Sequence, residues 1–169
     1  GVGRTGKLFA FEHYNVIPDV LVSAKALGGG MPIGAFISSS KIMKSIEDKP
    51  ILGHITTFGG HPVCCAAGNA SLKYIEKHQL MDEVSEKEAL FRKLLIHPKI
   101  KKTSGKGLML SIELDSFEEV ERTMKRCIER GVIIDWFLYN TNCLRISPPL
   151  IISNSEIHKV CETILKSLD

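Results

Sequence analysis

One lysine and three glycines stand between two short apolar runs. Val20-Leu21-Val22 leads into Ser23-Ala24-Lys25-Ala26-Leu27-Gly28-Gly29-Gly30, and Ile33 to Ile37 follows. Each run reads as a strand bounded by turn residues, the first of them buried. An ammonium held in an apolar setting loses hydration, which makes a neutral, nucleophilic amine accessible near neutral pH. That is the property of a lysine that captures a carbonyl group as a Schiff base. The glycines supply positive φ and let another group approach the backbone closely. Taken alone, a lysine at a strand end more often points into water.

Two further groups bear on the same chemistry. Thr56-Thr57-Phe58-Gly59-Gly60 sets hydroxyls beside glycines, where side-chain O–H and backbone N–H groups converge on a phosphate or close an ordinary turn. Arg145 interrupts the apolar stretch Cys143-Leu144-Ile146 and precedes Pro148-Pro149. Its planar fork matches a carboxylate with two charge-assisted hydrogen bonds. The competing reading is an edge-strand arginine paired with a local Glu or Asp. The six histidines show no metal-ligand spacing, so no metal is expected.

The elements that position these residues follow from periodicity and caps. Ser39 to Asp48 reads as a short helix and Pro50 to Gly60 as a loop. Pro62 suits the first position of a helix in which Val63, Ala66, Ala67, Ala70 and Tyr74 form one strip and Leu72 and Ile75 a second, so this helix is expected to be largely buried. Leu80 to Ile96 is more amphipathic and closes at His97-Pro98. Gly107 to Leu114 reads as a strand. Ser116 and Glu119 form a capping box for a helix with Phe117, Val120, Met124, Cys127 and Ile128 inward and Gly131 as its C-cap. Val132 to Leu138 and Cys143 to Ile146 read as strands around the turn Tyr139-Asn140-Thr141-Asn142. A second capping box, Ser153 with Glu156, opens a helix burying Ile157, Val160, Cys161, Ile164, Leu165 and Leu168.

A chain of 169 residues with 44% hydrophobic content holds one domain or two small ones. A net charge of +3, with basic residues scattered, argues against nucleic acid or a membrane surface as partner. Lys41-Ile42-Met43-Lys44 and Lys99-Ile100-Lys101-Lys102 read as solvated faces. Five cysteines without paired spacing suggest reduced thiols, and with no apolar run of membrane length a cytoplasmic protein is expected. Gly1-Val2-Gly3-Arg4-Thr5-Gly6 satisfies Gly-x-Gly-x-x-Gly, but no strand precedes it and no helical stripe follows, so a surface loop is expected instead of a dinucleotide site.

The segment Ser23-Ala24-Lys25-Ala26-Leu27-Gly28-Gly29-Gly30-Met31-Pro32-Ile33-Gly34 resembles the pyridoxal-phosphate lysine segment of the class III aminotransferases, which include the ornithine and acetylornithine aminotransferases. Gly3-Arg4-Thr5-Gly6 with Phe11-Glu12-His13-Tyr14, Thr56-Thr57-Phe58-Gly59-Gly60, and Leu144-Arg145-Ile146-Ser147-Pro148-Pro149-Leu150 continue the likeness in one order over nearly the whole chain. The resemblance implies an α/β architecture, the type I fold of pyridoxal-phosphate-dependent transferases. Residues 1–78 would be the C-terminal part of the large cofactor-binding domain, and residues 79–169 a small α+β domain. It implies amino-group transfer from an amino acid or ω-amino substrate to a 2-oxo acid. Lys25 would be the catalytic and cofactor-binding lysine, and Arg145 the clamp on a substrate α-carboxylate. Thr57 would reach the cofactor phosphate of the neighbouring subunit in a homodimer with a shared active site.

The resemblance also implies an N-terminal portion larger than the present chain. It would hold the Asp that pairs with the pyridine nitrogen, the main phosphate loop and the stacking aromatic. His61 stands where the family usually has Asn. Aminomutases and some decarboxylases share the lysine segment, although Arg-x-x-Pro-Pro-Leu speaks for a transaminase. A reading of another class is a non-catalytic fragment, a folding or dimer-contact module, because the Lys25 strands would expose edges. Asp135-Trp136-Phe137-Leu138 is an aromatic patch that suits a substrate wall or the core equally, and the amino donor is not legible.

Overall fold

A computed structural model describes residues 1–47, 50–51 and 55–169. By internal packing the chain divides into two units: Gly1–Gly3 with Lys7–Gln79, and Arg4–Gly6 with Leu80–Asp169. The expected loop Pro50 to Gly60 and the end of the helix expected over Ser39 to Asp48 lie partly outside the described residues.

In the first unit β1 (Val20–Ser23) and β2 (Ala35–Ser38) form an antiparallel two-stranded sheet, with Val20 opposite Ser38 and Ser23 opposite Ala35. The first apolar run is not buried. Val22 is 71% exposed and Phe36 53%, because a two-stranded ribbon without a packed layer leaves its side chains in water. A 3-10 turn at Ala10–His13 occupies a stretch with no helical stripe, its Glu12 carboxylate accepting from the Phe9 N–H at 2.7 Å. The expected surface loop at the chain start is partly tucked in, since Val2 is buried. Helix α1 (Ser40–Lys44) is capped by the Ser39 hydroxyl.

Helix α2 (Pro62–Lys77) begins with proline in its first turn, as that residue's fixed φ predicts. Its buried residues are Cys64, Gly68 and Ile75, whereas Val63 and Tyr74 are more than half exposed. The reason is the glycine: a Cβ on Gly68 would lie 2.9 Å from the Leu27 carbonyl oxygen, so the turn Lys25–Gly28 seats on the Gly68 face.

The second unit carries the four-stranded antiparallel order β3-β4-β6-β5, from β3 (Lys102–Lys106), β4 (Met109–Glu113), β5 (Asp135–Phe137) and β6 (Asn140–Ile146). β3 begins at Lys102, the last residue of the stretch Lys99–Lys102 read from the sequence as a solvated face. It is an edge strand, where lysines are compatible with pairing and blunt the open edge. Leu110 pairs with Ile146 and Ile112 with Leu144, and all four are buried on one face. The alternation puts Ser111, Arg145 and Asp135 on the other face. Only Leu138 and Tyr139 connect β5 to β6, so the expected four-residue turn has its last two members and Asn140 inside the strand.

Helices α3 (Val84–Leu94), α4 (Phe117–Glu129) and α5 (Asn154–Leu168) share this core through Val84, Phe91, Val120, Cys127, Ile157 and Ile164. In α4 the inward face is Val120, Thr123 and Cys127, while Ile128 is 53% exposed. The Ser116 hydroxyl caps α4, but Glu119 reaches the Asp115 N–H and not that of Ser116, so only half of the expected box forms. Gly131 at φ +81 ends α4 as a Schellman turn, with Val132 N–H donating to Cys127 O and Gly131 N–H to Ile128 O. The second capping box forms in full, Ser153 with Glu156. The thiols of Cys127, Cys143 and Cys161 are all buried. Among the described residues no helix is long and apolar enough to cross a membrane.

Candidate functional site

Lys25 opens the 3-10 turn that follows β1. Ala24 is fully extended, then Lys25 sits at φ +52, a left-handed conformation that non-glycine residues rarely hold. Gly29 at φ +57 closes the turn with the Ser71 side chain 2.7 Å from where its Cβ would be, so only glycine fits that approach. Among the described residues nothing forms the dry pocket expected around the amine. Lys25, Ala24 and Ala26 are exposed, because β1 and β2 bring no second layer over them.

Thr57 lies in the turn before α2, which also seats the Lys25 turn, so one helix organises both residues. Gly59 N–H donates to Thr56 O and His61 N–H to Phe58 O, each at 3.2 Å. The Gly59 Cβ position lies 2.7 Å from Thr56 Oγ1, so a side chain there would require the Thr56 hydroxyl to rotate away. Thr56 and Thr57 are exposed, and the His61 side chain makes no capping bond at the start of α2. An exposed hydroxyl turn beside a helix start with its leading N–H groups is suited to an anion.

Arg145 stands in the second unit on β6, an interior strand, and not on an edge. It faces Asp135 across the β5–β6 register, and its Nη2 donates to Asp135 Oδ2 at 2.8 Å. Asp135 Oδ1 accepts the Trp136 N–H at 2.9 Å, and Trp136 stacks edge-on against Phe117 with ring centroids 5.8 Å apart. The ion pair is half-exposed, 36% for the Arg145 side chain and 49% for Asp135. Both residues line a cavity of about 440 Å³ whose walls include Phe91, Ile134, Ile152 and Ile164. Asp135 was legible only as part of an ambiguous patch, since its pairing depends on strand register.

Two cations missed by sequence reading hold the segment leaving β6. The Arg4 guanidinium donates to Leu108 O at 3.2 Å and also to Pro148 O. Burial pulls its pKa below the ordinary arginine value. Lys87, 5% exposed, donates to Leu150 O at 2.8 Å and pairs with Glu83 at 2.7 Å. Its signal was a lysine on the Val84-Lys87-Phe91 stripe, a charge at a core spacing. Among the described residues no cluster of His, Cys, Asp and Glu has a metal-holding arrangement.

Residues 1–168 match the class-III aminotransferase family. The acetylornithine aminotransferase of Caldanaerobacter subterraneus subsp. tengcongensis is 39% identical over 97% of this chain and 41% of its own length. That of Haemophilus ducreyi is 36% identical over 94% of this chain and 39% of its length. The ornithine aminotransferase structure from Toxoplasma gondii, which has pyridoxal phosphate at partial occupancy in its active site, superposes with a TM-score of 0.88 at 31% identity. The superposition covers 99% of this chain and 40% of that one. The chain thus spans about two-fifths of the length of these relatives.

Proposed function

The chain belongs to the class-III aminotransferase family, and from that premise we propose that it carries the lysine, a phosphate contact and the carboxylate clamp of a pyridoxal-phosphate-dependent transaminase. The reaction moves an amino group from an amino acid or ω-amino substrate to a 2-oxo acid. The observation that supports this most is the backbone at Lys25. A non-glycine residue at φ +52 costs of order 1 kcal/mol, and such strain clusters where a side chain must be aimed. Here the strain directs an exposed amine out of a turn that Gly29 and Gly68 lock onto α2.

The residues fit the cofactor. Lys25 Nζ is open to an aldehyde carbon, and Thr57 Oγ1 with the first amides of α2 suits the phosphate of a cofactor held by another copy. When bound, the cofactor supplies an electron sink for charge developing on the substrate carbon. Lys25 Nζ would be the group that carries the cofactor and, when free, the base that takes up and returns the proton at the reacting carbon. Arg145 orients the substrate carboxylate. In this reading Thr57 serves the phosphate of a second copy, in a cytoplasmic homodimer with shared active sites.

A second reading, a module that works only inside a larger assembly, is supported by the exposure of Val22, Phe36 and Ile37 on a lone two-stranded sheet. One experiment separates them. The 169-residue chain is incubated with pyridoxal phosphate, reduced with borohydride and digested for peptide mapping. Label concentrated on Lys25 supports the enzyme reading. Label spread over the surface lysines in proportion to their exposure refutes it.

A further inference from the structure

We infer that Gly68 of α2 is a positioning residue for Lys25. The absent side chain at position 68 admits the Leu27 carbonyl, and that seat keeps Lys25 in its left-handed backbone conformation. The inference rests on the preceding reading that the Lys25 amine carries the cofactor, and it assigns the aim of that amine to a residue on another element.

The buried strip of α2 is where the turn is held. Cys64, Gly68 and Ile75 are buried and Ala67 and Ser71 half-buried, whereas Asn69, Ala70 and Tyr74 are exposed. The turn after β1 covers the middle of that strip. A Cβ at Gly68 would lie 2.9 Å from Leu27 O and 3.9 Å from Gly28 Cα; one at Gly29 would lie 2.7 Å from Ser71 Cβ and 3.1 Å from Ala67 O. The turn is therefore pinned against α2 from Leu27 to Gly29. At its other end Ala24 is extended where β1 stops, with φ −157. Between these two fixed ends Leu27 N–H donates to Ala24 O and Gly29 N–H to Ala26 O, each at 3.2 Å. Lys25 joins them at φ +52. Its own side chain does not favour that conformation: it lacks the short polar group that lets Asn or Asp sit there, and it is exposed. The contact that holds the strain lies elsewhere, and the α2 seat supplies it. Freed from the seat, Lys25 returns to an ordinary negative φ, and the amine loses the direction the turn gives it.

The test reads the backbone and the amine separately in the 169-residue chain. Alanine is the better helix former, so Gly68→Ala favours α2 itself, and a glycine with only a helix-packing role would leave the turn unchanged. Amide hydrogen exchange followed by NMR is expected instead to quicken about fivefold or more at Leu27 and Gly29, while the amides of α2 keep their protection. Lys25→Gly supplies a second arm, because glycine takes φ +52 without strain. It should slow exchange at those two amides about fivefold more in the Gly68 chain than in the Gly68→Ala chain; the freedom glycine adds to the opened turn is the same in both backgrounds and cancels. After pyridoxal phosphate and borohydride, the share of label on Lys25 should fall in Gly68→Ala to that of the other exposed lysines. Unchanged exchange at Leu27 and Gly29 overturns the inference, and so do equal effects of Lys25→Gly in the two backgrounds. Label that stays concentrated on Lys25 in Gly68→Ala overturns it as well. Label already dispersed in the unaltered chain refutes the preceding reading instead, and the inference falls with it.

Discussion

Replacing Gly107 by alanine tests how the Arg4 segment is held within the second unit. Gly107 sits at φ +59, and an added Cβ would lie 2.6 Å from Arg4 O, 2.7 Å from Thr5 Cα and 2.8 Å from Val84 Cγ1. Two of these neighbours are backbone, which cannot rotate away, so the segment must shift. The left-handed backbone alone costs alanine about 1 kcal/mol. Moving Arg4 lengthens the Leu108 N–H bond to Arg4 O, now 2.9 Å and worth about 1 kcal/mol net. If the guanidinium also leaves Leu108 O and Pro148 O, a charged donor's share of about 1.5–3 kcal/mol is added. The sum is about 2 kcal/mol with Arg4 retained and about 3.5–5 kcal/mol with it released.

Gly131→Ala is the control, because Gly131 has φ +81 but nothing within 4 Å of its Cβ position. It should cost only the backbone portion, about 1 kcal/mol. The chain has one tryptophan, Trp136, and it lies in the second unit, so urea unfolding followed by its fluorescence reads the relevant unit. The expected result is a midpoint loss for Gly107→Ala at least twice that of Gly131→Ala. Equal losses within about 0.5 kcal/mol would refute the claim that close backbone approach, and not φ, makes Gly107 necessary.

Two further outcomes follow from burial. Lys87→Met keeps the apolar stem but strands the Leu150 carbonyl and Glu83; it should destabilise the second unit by about 1.5–3 kcal/mol in the same urea assay, and a loss below about 0.5 kcal/mol would show the amine to be dispensable. Burial pushes the Cys161 thiol up to about 12 from 9.0, so the folded chain keeps a proton that the unfolded chain loses, and stability should fall as pH rises from about 9 towards 12. The burial-raised thiols of Cys127 and Cys143 act in the same direction, and a stability curve flat across that range would contradict the assignment.

The parts of the fold legible in the sequence are those fixed within a few residues. Pro62 at the start of α2, the Ser153–Glu156 box and the Gly131 turn each depend on local φ and on hydrogen bonds spanning at most a turn or so. Periodicity likewise gave most helices and the strand at Met109–Glu113. It failed on which face of α2 is buried, because Val63, Ala66 and Tyr74 and the Cys64, Gly68 and Ile75 set both make plausible strips. The choice fell to Gly68, the position that admits the Leu27 carbonyl. It gave no strand at β3, whose first residue, Lys102, ends a stretch read as surface and stands on a paired edge.

The candidate site divides in the same way. Order and residue type along the chain were enough to mark Lys25, Thr57 and Arg145 and to identify the family, since those properties need no third dimension. The exposure of Lys25 depends on how many layers cover a two-stranded sheet, which its neighbours in sequence do not specify. The pairing of Arg145 with Asp135 depends on register, where a slip of one residue turns a side chain to the opposite face. The burial of Lys87 and Arg4 depends on carbonyls more than sixty residues away in the chain. Local chemistry could be read one residue at a time; which charges meet was decided only when distant segments closed on one another.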